Sequence, residues 1–415
     1  MKVLLIKASN DSDFKRYKKY VGSPPQNIFS AAAALPQGIK FEMVDETSGS
    51  PARLKTDADV VGIFASTPDA MRMYELADAY RKRGKIVVLG GLHATFLPEE
   101  AAGHADAVIV GESEGLWEDI LADACDGKMK ARYERDKPVD LRGIKDFPLG
   151  KISADIYKGL WSVLVSRGCG FNCAFCTVRV FGGAQRWRPV KEVAREIAAC
   201  GYDWVELHSD NLTFDRDYAM ALFKEIKPLG INWVGETTIT MADDEELLDA
   251  AVDSGMRYML AGLETPSQSA LKGVGKGFVS VDKVKDQVAR LHERNVMVDS
   301  CILFGFDQHD TDIFQQSLDY VDEVDVDVVT GVIMTPYPGT RLYKKLESEG
   351  RILTKNWSLY DGSHAVFKPM GMSAAELEEG AGWFTEKYYD TWRYIKRKAK
   401  HVKRFGIGNA IMLTP

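Results

Sequence analysis

The sequence predicts an α/β protein: a flavodoxin-like doubly wound N-terminal domain, a partial (β/α)6 barrel, and a small helical C-terminal region. Three observations predict it. Short apolar runs alternate with helical patterns along most of the chain, which calls for parallel sheets covered by helices. That alternation is interrupted by a charged, Pro-containing stretch, and resumes with longer units. The length of 415 residues accommodates two or three domains at about 100 to 200 residues each.

In the first domain Val3 to Ile6, Phe41 to Val44, Val60 to Phe64, Ile86 to Leu89 and Val108 to Val110 read as strands. They are short, rich in branched residues and mostly bounded by Gly, Asp or Ser. Helical patterns cover Asn27 to Leu35, Asp69 to Arg83 and Glu114 to Cys125. Such a sheet binds ligands beyond the carboxyl ends of its strands. From residue 129 the chain is charged and aperiodic, with Lys137-Pro138 and Phe147-Pro148. The first domain is therefore set at 1–135 and an interdomain linker at 136–157.

The second domain, 158–341, has strand patterns at Trp161 to Ser166, Trp204 to His208, Asn232 to Thr238, Tyr258 to Leu263, Val296 to Phe304 and Val326 to Met334. Helical patterns lie at Val190 to Ala199, Asp217 to Lys227, Asp244 to Ser254, Val281 to Arg294 and Thr311 to Glu323. Six strands are too few for an eight-stranded barrel, so a partial barrel is expected, with its working end at the strand carboxyl termini. Residues 342–415 read as mainly helical. Their basic stretch from Trp392 to Arg404 carries seven Lys or Arg and reads as a solvated helix or a contact for an acidic protein surface.

Lys and Arg number 53 against 60 Asp and Glu, a net charge of -7. That balance argues against a protein built to cover nucleic-acid phosphates. Apolar runs such as Ala107 to Val110 fall far short of the roughly 20 residues of a membrane span. The first residues show no leader pattern, so a cytoplasmic protein without a membrane partner is expected.

Six cysteines stand at 125, 169, 173, 176, 200 and 301. Metal or redox chemistry explains the cluster of three better than a disulfide framework does. The segment Ser166-Arg-Gly-Cys169-Gly-Phe-Asn-Cys173-Ala-Phe-Cys176 follows directly on a strand. Gly168 and Gly170 permit a tight path that lets three thiols converge. Zinc sites usually take four ligands in two separated pairs, and no second pair follows. Three thiolates on a four-iron cluster leave one iron open to a non-protein ligand. Cys125, Cys200 and Cys301 are scattered and read as apolar thiols.

Cys169-x3-Cys173-x2-Cys176, with Phe175 before the last cysteine, resembles the signature of the radical S-adenosylmethionine superfamily. Further fragments stand in the order seen in radical enzymes with an N-terminal cobalamin domain. They are Trp187-Arg-Pro-Val-Lys-Glu, His208-Ser-Asp-Asn-Leu-Thr-Phe-Asp215, Ala261-Gly-Leu-Glu-Thr265, Phe304-Gly-Phe306 and Thr335-Pro-Tyr-Pro-Gly-Thr340. In the first domain Ser23-Pro-Pro-Gln26, Asp59 to Thr67, Leu89-Gly-Gly-Leu-His-Ala-Thr95 and Val110-Gly-Glu-Ser-Glu114 are similar to that domain's loops.

The resemblance implies a 4Fe-4S cluster on Cys169, Cys173 and Cys176, with S-adenosylmethionine on its open iron and cobalamin on the first domain. It implies a C-methyltransferase in which one S-adenosylmethionine methylates cobalamin and another yields a 5'-deoxyadenosyl radical that activates the substrate carbon. An electron donor such as a flavodoxin or ferredoxin is the implied partner. The substrate is a small molecule or a peptide or protein; methylation of a glutamine carbon in a methanogen enzyme is one precedent. Two other readings stay open: a cobalamin-binding radical enzyme that cyclises, oxidises or rearranges its substrate, and an iron-sulfur sensor or electron carrier.

Ser66, Thr67, Gly90, Gly91, His93, Gly111 and Glu112 are the expected cobalamin residues. Gly90 and Gly91 would let backbone approach a flat ligand, and the Ser66 and Thr67 hydroxyls would meet its polar tail. The Asp-x-His-x-x-Gly element of mutase-type domains is replaced by Asn10-Asp-Ser-Asp-Phe-Lys15, so no histidine stands there to ligate cobalt. His93 and His104 are the alternatives, His93 reading better as a structural or tail contact. Ser209, Asp210 and Asn211 fall where the family contacts the methionine amino group. Glu236 and Glu264 could accept from ribose hydroxyls or cap helices. Arg186 and Arg188 could neutralise a carboxylate or be solvated. Tyr337 and Arg341, after the last strand, are the candidate catalytic residues on the substrate side.

Overall fold

A computed structural model describes residues 1–10, 25–146 and 160–406. The fragment Ser23-Pro24, most of the Asn10 to Lys15 stretch and half of the expected linker lie outside the described residues. The chain divides into two compact units. The first comprises residues 1–162, 180–188 and 356–361, and the second 163–179, 189–355 and 362–415.

The first unit carries β1 (Lys2–Lys7), α1 (Gln26–Ala33), β2 (Lys40–Asp45), β3 (Val60–Phe64), α2 (Ala70–Arg81), β4 (Ile86–Gly90), α3 (Leu92–Phe96), α4 (Pro98–Ala102), β5 (Ala107–Val110), α5 (Trp117–Asp126) and β6 (Arg132–Glu134). Its strands form one sheet in the order β2-β1-β3-β4-β5-β6, parallel throughout. The order reverses between β1 and β3, the switch point at which doubly wound sheets bind ligands. β3 is buried at every position, as expected of a strand covered on both faces. The sixth strand corrects the expectation of an aperiodic stretch from residue 129. It is too short to show a period, yet Tyr133 in its middle is buried. Helices α3 and α4, five residues each, were missed for the same reason.

Further along the chain follow β7 (Trp161–Leu164), β8 (Ser166–Arg167), α6 (Val178–Gly182), β9 (Arg186–Trp187), α7 (Val190–Cys200), β10 (Trp204–His208), α8 (Arg216–Ile226), β11 (Asn232–Glu236), α9 (Glu245–Asp253), β12 (Met256–Leu260), α10 (Gln268–Gly273), α11 (Val284–Glu293), β13 (Met297–Phe304), α12 (Ile313–Glu323), β14 (Val328–Ile333), α13 (Arg341–Ser348), α14 (Ala374–Tyr388) and α15 (Thr391–Phe405), of which β9 and most of α6 belong to the first unit. One six-stranded sheet runs β14-β13-β12-β11-β10-β7, the chain-order succession of a partial barrel. Burial alternates along β10, β11 and β13. One face packs under the helices: Phe223 of α8 stacks on Trp233 of β11, and Phe304 of β13 meets Phe314 of α12 and Phe384 of α14. The opposite face carries Glu206, His208, Glu236, Asp299 and Cys301.

The strands expected to reach Thr238 and Leu263 leave the ladder at Glu236 and Leu260. Beyond Leu260 the backbone turns, and Glu264 takes a φ of 66°. Apolar character continues past the last ladder bond because those residues remain buried, so hydropathy alone overruns the strand end.

Candidate functional site

The cysteine loop begins where β8 ends, and its backbone is held at several points. Gly168 N–H donates to the Asp210 carboxylate at 2.9 Å. The Cys169 carbonyl accepts from Arg179 Nη1 at 2.9 Å, and the Asn172 carbonyl from Arg341 Nη2. Ala174 N–H donates to the Val274 carbonyl at 2.8 Å, and the Ala174 carbonyl accepts from Leu342 N–H at 2.9 Å. Phe171 in the loop stacks on Phe278 at 3.7 Å and meets Phe214 edge-on at 5.3 Å.

All three thiols are free and partly accessible. Burial pushes the Cys173 thiol up and that of Cys176 up to about 11. Soft sulfur donors on one short loop, none committed to a disulfide, suit an iron-sulfur cluster. Among the described residues no three His, Cys, Asp or Glu side chains are gathered to hold a single metal ion.

Around this loop stand the residues expected from the sequence. Ser209 Oγ bonds Ser166 Oγ at 2.6 Å, and the Asn211 amide oxygen accepts from the Thr237 hydroxyl at 3.1 Å. Glu236 ends β11, reached by solvent yet crowded by protein. Burial pushes its carboxyl up to about 7, with His208 opposing and Glu206, Asp210 and Asp299 adding to the shift. Glu264 is buried and ion-paired with Lys276. Burial works against the Lys276 ammonium, but Glu264 and the thiols of Cys173 and Cys176 outweigh it and hold its pKa above the ordinary lysine value. Arg341 lies against the cysteine loop, while the Tyr337 carbonyl accepts from the Thr340 hydroxyl at 2.7 Å and so anchors the start of α13.

Sequence reasoning missed Lys276, and it missed the inward-facing His208, Tyr258 and Asp299. Tyr258 donates to Asp299 at 2.6 Å, and burial pushes the Asp299 carboxyl up to about 6. The polar alternation of Glu206, His208 and of Asp299, Cys301 was the available signal.

In the first unit, Ser66 Oγ donates to Asp69 at 2.7 Å, and Asp69 also takes Lys7 at 2.8 Å. Thr67 is buried. Gly90 and Gly91 serve the chain itself rather than the expected flat ligand: a Cβ at Gly90 would meet the Phe64 ring at 2.7 Å, and one at Gly91, where φ is +92°, would meet the Ala65 carbonyl at 2.7 Å. The close approach these glycines permit is that of the chain's own β3 end. At Gly111, by contrast, the space a Cβ would fill is open, and its N–H donates to Thr95 Oγ1 at 2.9 Å. Glu112 is committed to Arg186 at 2.9 and 3.0 Å and to the Val139 N–H at 2.9 Å. The carboxylate that Arg186 neutralises is thus Glu112, and Arg188 is buried against Asp146; neither is solvated.

His93 is wholly buried with Nε2 3.0 Å from the Tyr74 hydroxyl and 3.4 Å from Glu100, and burial lowers its pKa. His104 bonds Asp78 and stacks on Tyr74. Both imidazoles are engaged inside the unit.

A doubly wound parallel sheet and a cysteine loop at the carboxyl end of a partial barrel together define a fold suited to holding cofactors at its strand ends. Residues 163–334 match the family model described as the radical SAM superfamily, and residues 24–121 match the B12 binding domain. Bacteriochlorophyllide d C-8(2)-methyltransferase of Chlorobaculum tepidum is 31% identical over 348 residues, covering 79% of this chain and 77% of that protein. The C-12(1)-methyltransferase of the same organism is 29% identical over 387 residues, covering 90% and 84%. The fold is similar to that of TsrM from Kitasatospora setae, with a TM-score of 0.71 at 16% identity over 91% of this chain and 81% of that one. It is equally similar to OxsB, with a TM-score of 0.71 at 14% identity over 96% and 68%.

The chain belongs to the cobalamin-dependent radical SAM methyltransferases. It is an enzyme whose cofactors are a 4Fe-4S cluster, S-adenosylmethionine and cobalamin. No described helix is long and apolar enough to cross a membrane.

Proposed function

We propose that this enzyme methylates an unactivated carbon of a tetrapyrrole-type small molecule. The observation that carries the chemistry is the cysteine loop, three free thiols on a backbone whose carbonyls accept from Arg179, Arg341 and Leu342 and whose Ala174 N–H donates to the Val274 carbonyl. Cys169, Cys173 and Cys176 would hold the cluster, and their fixed backbone spares the ordering cost of closing a loop around it. When bound, the cluster and S-adenosylmethionine supply a 5'-deoxyadenosyl radical, and cobalamin supplies the methyl carrier. Asp210 and Glu236, on the carboxyl edge of the sheet, would accept hydrogen bonds from the ammonium and hydroxyl groups of S-adenosylmethionine.

On the first unit, the strand ends at Ser66, Thr67, Gly91 and Gly111 would form the ligand edge, with the open backbone at Gly111 fit for close approach, while His93 and Glu112 support it from inside the unit. Its two histidines bond Tyr74, Glu100 and Asp78 within the unit.

The two bacteriochlorophyllide d methyltransferases support the substrate class. A peptide or protein substrate, glutamine included, rests on the basic C-terminal helix. That support weakens because Arg393, Lys400 and Arg404 are paired with Asp322 and Asp325 of the same unit.

Methyl-labelled S-adenosylmethionine, reductant and bacteriochlorophyllide should give a product heavier by one labelled methyl. An altered but unlabelled product would favour cyclisation, oxidation or rearrangement. Cys173→Ala should reduce 5'-deoxyadenosine formation to the enzyme-free background; unchanged formation would sink the assignment of the loop.

A further inference from the structure

Glu264 and Lys276 form an ion pair that the surrounding backbone is shaped to admit. Glu264 sits at a φ of 66°, a left-handed conformation that costs a residue with a Cβ roughly 1 kcal/mol or more. Both of its backbone groups are held by β13: its N–H donates to the Cys301 carbonyl at 3.0 Å, and its carbonyl accepts from Leu303 N–H at 2.7 Å. A Cβ at Gly262 would lie 2.2 Å from Glu264 Oε1 and 2.6 Å from Lys276 Nζ. A side chain at Gly262 would displace the pair from this position. The two side chains are 6% and 12% exposed.

Desolvation cancels most of the attraction in a pair so placed, so net stability does not account for it. Its position does. Residues 274–276 run along the cysteine loop, with Val274 accepting from Ala174 N–H at 2.8 Å and the Asn172 carbonyl 3.3 Å from where a Gly275 Cβ would stand. Lys276 therefore brings a fixed positive charge beside the loop that contains Cys173 and Cys176, and Glu264 partly offsets it.

We infer that the Glu264–Lys276 pair sets the reduction potential of the cluster on Cys169, Cys173 and Cys176. The inference rests on the cluster assignment proposed above. In the step concerned, one electron enters the cluster from an external low-potential carrier. No covalent bond forms or breaks, Lys276 keeps its proton, and the cluster becomes more negative by one charge. A nearby ammonium favours that state and a nearby carboxylate opposes it, both strongly where the surroundings are of low dielectric. Neither side chain is assigned contact with the reacting atoms; both act through the cluster.

The test is a potentiometric titration of the reconstituted full-length protein, with dithionite as reductant and the reduced cluster followed by electron paramagnetic resonance. Iron and sulfide content are measured alongside. Glu264→Gln should shift the midpoint in the positive direction, Lys276→Met in the negative direction, and Lys276→Arg should leave it near wild type. Shifts of one sign for both neutral variants, or no shift in loaded protein, would overturn the inference. If Lys276→Met takes up no cluster, Glu264→Gln against Lys276→Arg decides: a positive shift in the first with none in the second upholds it, and equal midpoints overturn it. Failure of the underlying reading looks different, since wild type and Cys173→Ala would then take up the same iron and sulfide.

Discussion

His309 shows how one buried side chain couples this fold to pH. It lies just past the carboxyl end of β13, 2% exposed, with Nε2 3.1 Å from the Thr265 hydroxyl and its ring 4.8 Å from Phe306. Burial lowers its pKa to about 4, against the opposing charge of Asp310. An unfolded histidine titrates near 6.5, so as pH falls the unfolded chain takes up this proton first. The contribution to stability is complete above about pH 6.5 and is lost progressively toward pH 4. Urea unfolding should show wild type losing on the order of 2 kcal/mol more than His309→Gln between pH 7 and 4.5. Parallel losses in the two proteins would refute the assignment. The cysteine triplet was legible in the sequence because its whole message is a spacing within eight residues. His309 and Lys276 were not, since their partners Thr265 and Glu264 are 44 and 12 residues distant and only the closing of the sheet brings them together.

At the scale of elements, α15 departs most from its sequence reading. A helix with seven Lys or Arg was expected to be solvated or to seek an acidic partner, and much of that partner is in the same unit. Asp325 takes Lys400 at 2.7 Å and Arg404 at 3.0 Å, and Arg397 lies over the Tyr388 ring at 3.7 Å. Asp327, its side chain 1% exposed, takes His292 at 2.8 Å, His401 at 3.1 Å and the Val298 N–H at 2.8 Å. Burial works against the charged form of Asp327, yet His292 and His401 hold its carboxyl below the usual range. Helical periodicity marked α15 correctly, but the acids just before β14 gave no hint that they faced it. Asp327→Ala leaves two buried imidazoles and an amide without their acceptor, so a loss of about 3 to 5 kcal/mol is expected. Arg393→Ala, at a half-exposed pair with Asp322, should cost about 1 kcal/mol or less. Thermal or urea unfolding of the two variants checks the contrast, and similar losses would show that α15 is not clamped through Asp327.

At the scale of the molecule, the two sheets follow one rule: parallel strands send their loops to the carboxyl ends, so the Gly91–His93 turn and the cysteine loop each sit at the edge where a ligand can be held. Alternation made both sheets readable, whereas the path of the chain between units was not. The first unit is completed by residues far along the sequence. Arg186 pairs with Glu112, Ser358 Oγ lies 3.3 Å from Asn10 Nδ2, and Trp357 donates to Glu100 at 2.8 Å while its ring meets His93 at 5.5 Å. Glu100 also accepts from Tyr74 at 3.0 Å, so one carboxylate ties α2, α3 and α4 to a segment more than 250 residues later. Trp357 is buried, and replacing a buried tryptophan by alanine costs about 3 to 5 kcal/mol. The cost should fall on the first unit alone, because Glu100, His93 and Tyr360, the partners of the Trp357 ring, all belong to that unit. In the full-length Trp357→Ala protein, amide hydrogen exchange across residues 92–102 should accelerate on the order of 100-fold, with β10 to β14 unchanged. Equal acceleration in both units would mean that segment 356–361 supports the whole chain rather than the unit whose ligand edge it adjoins.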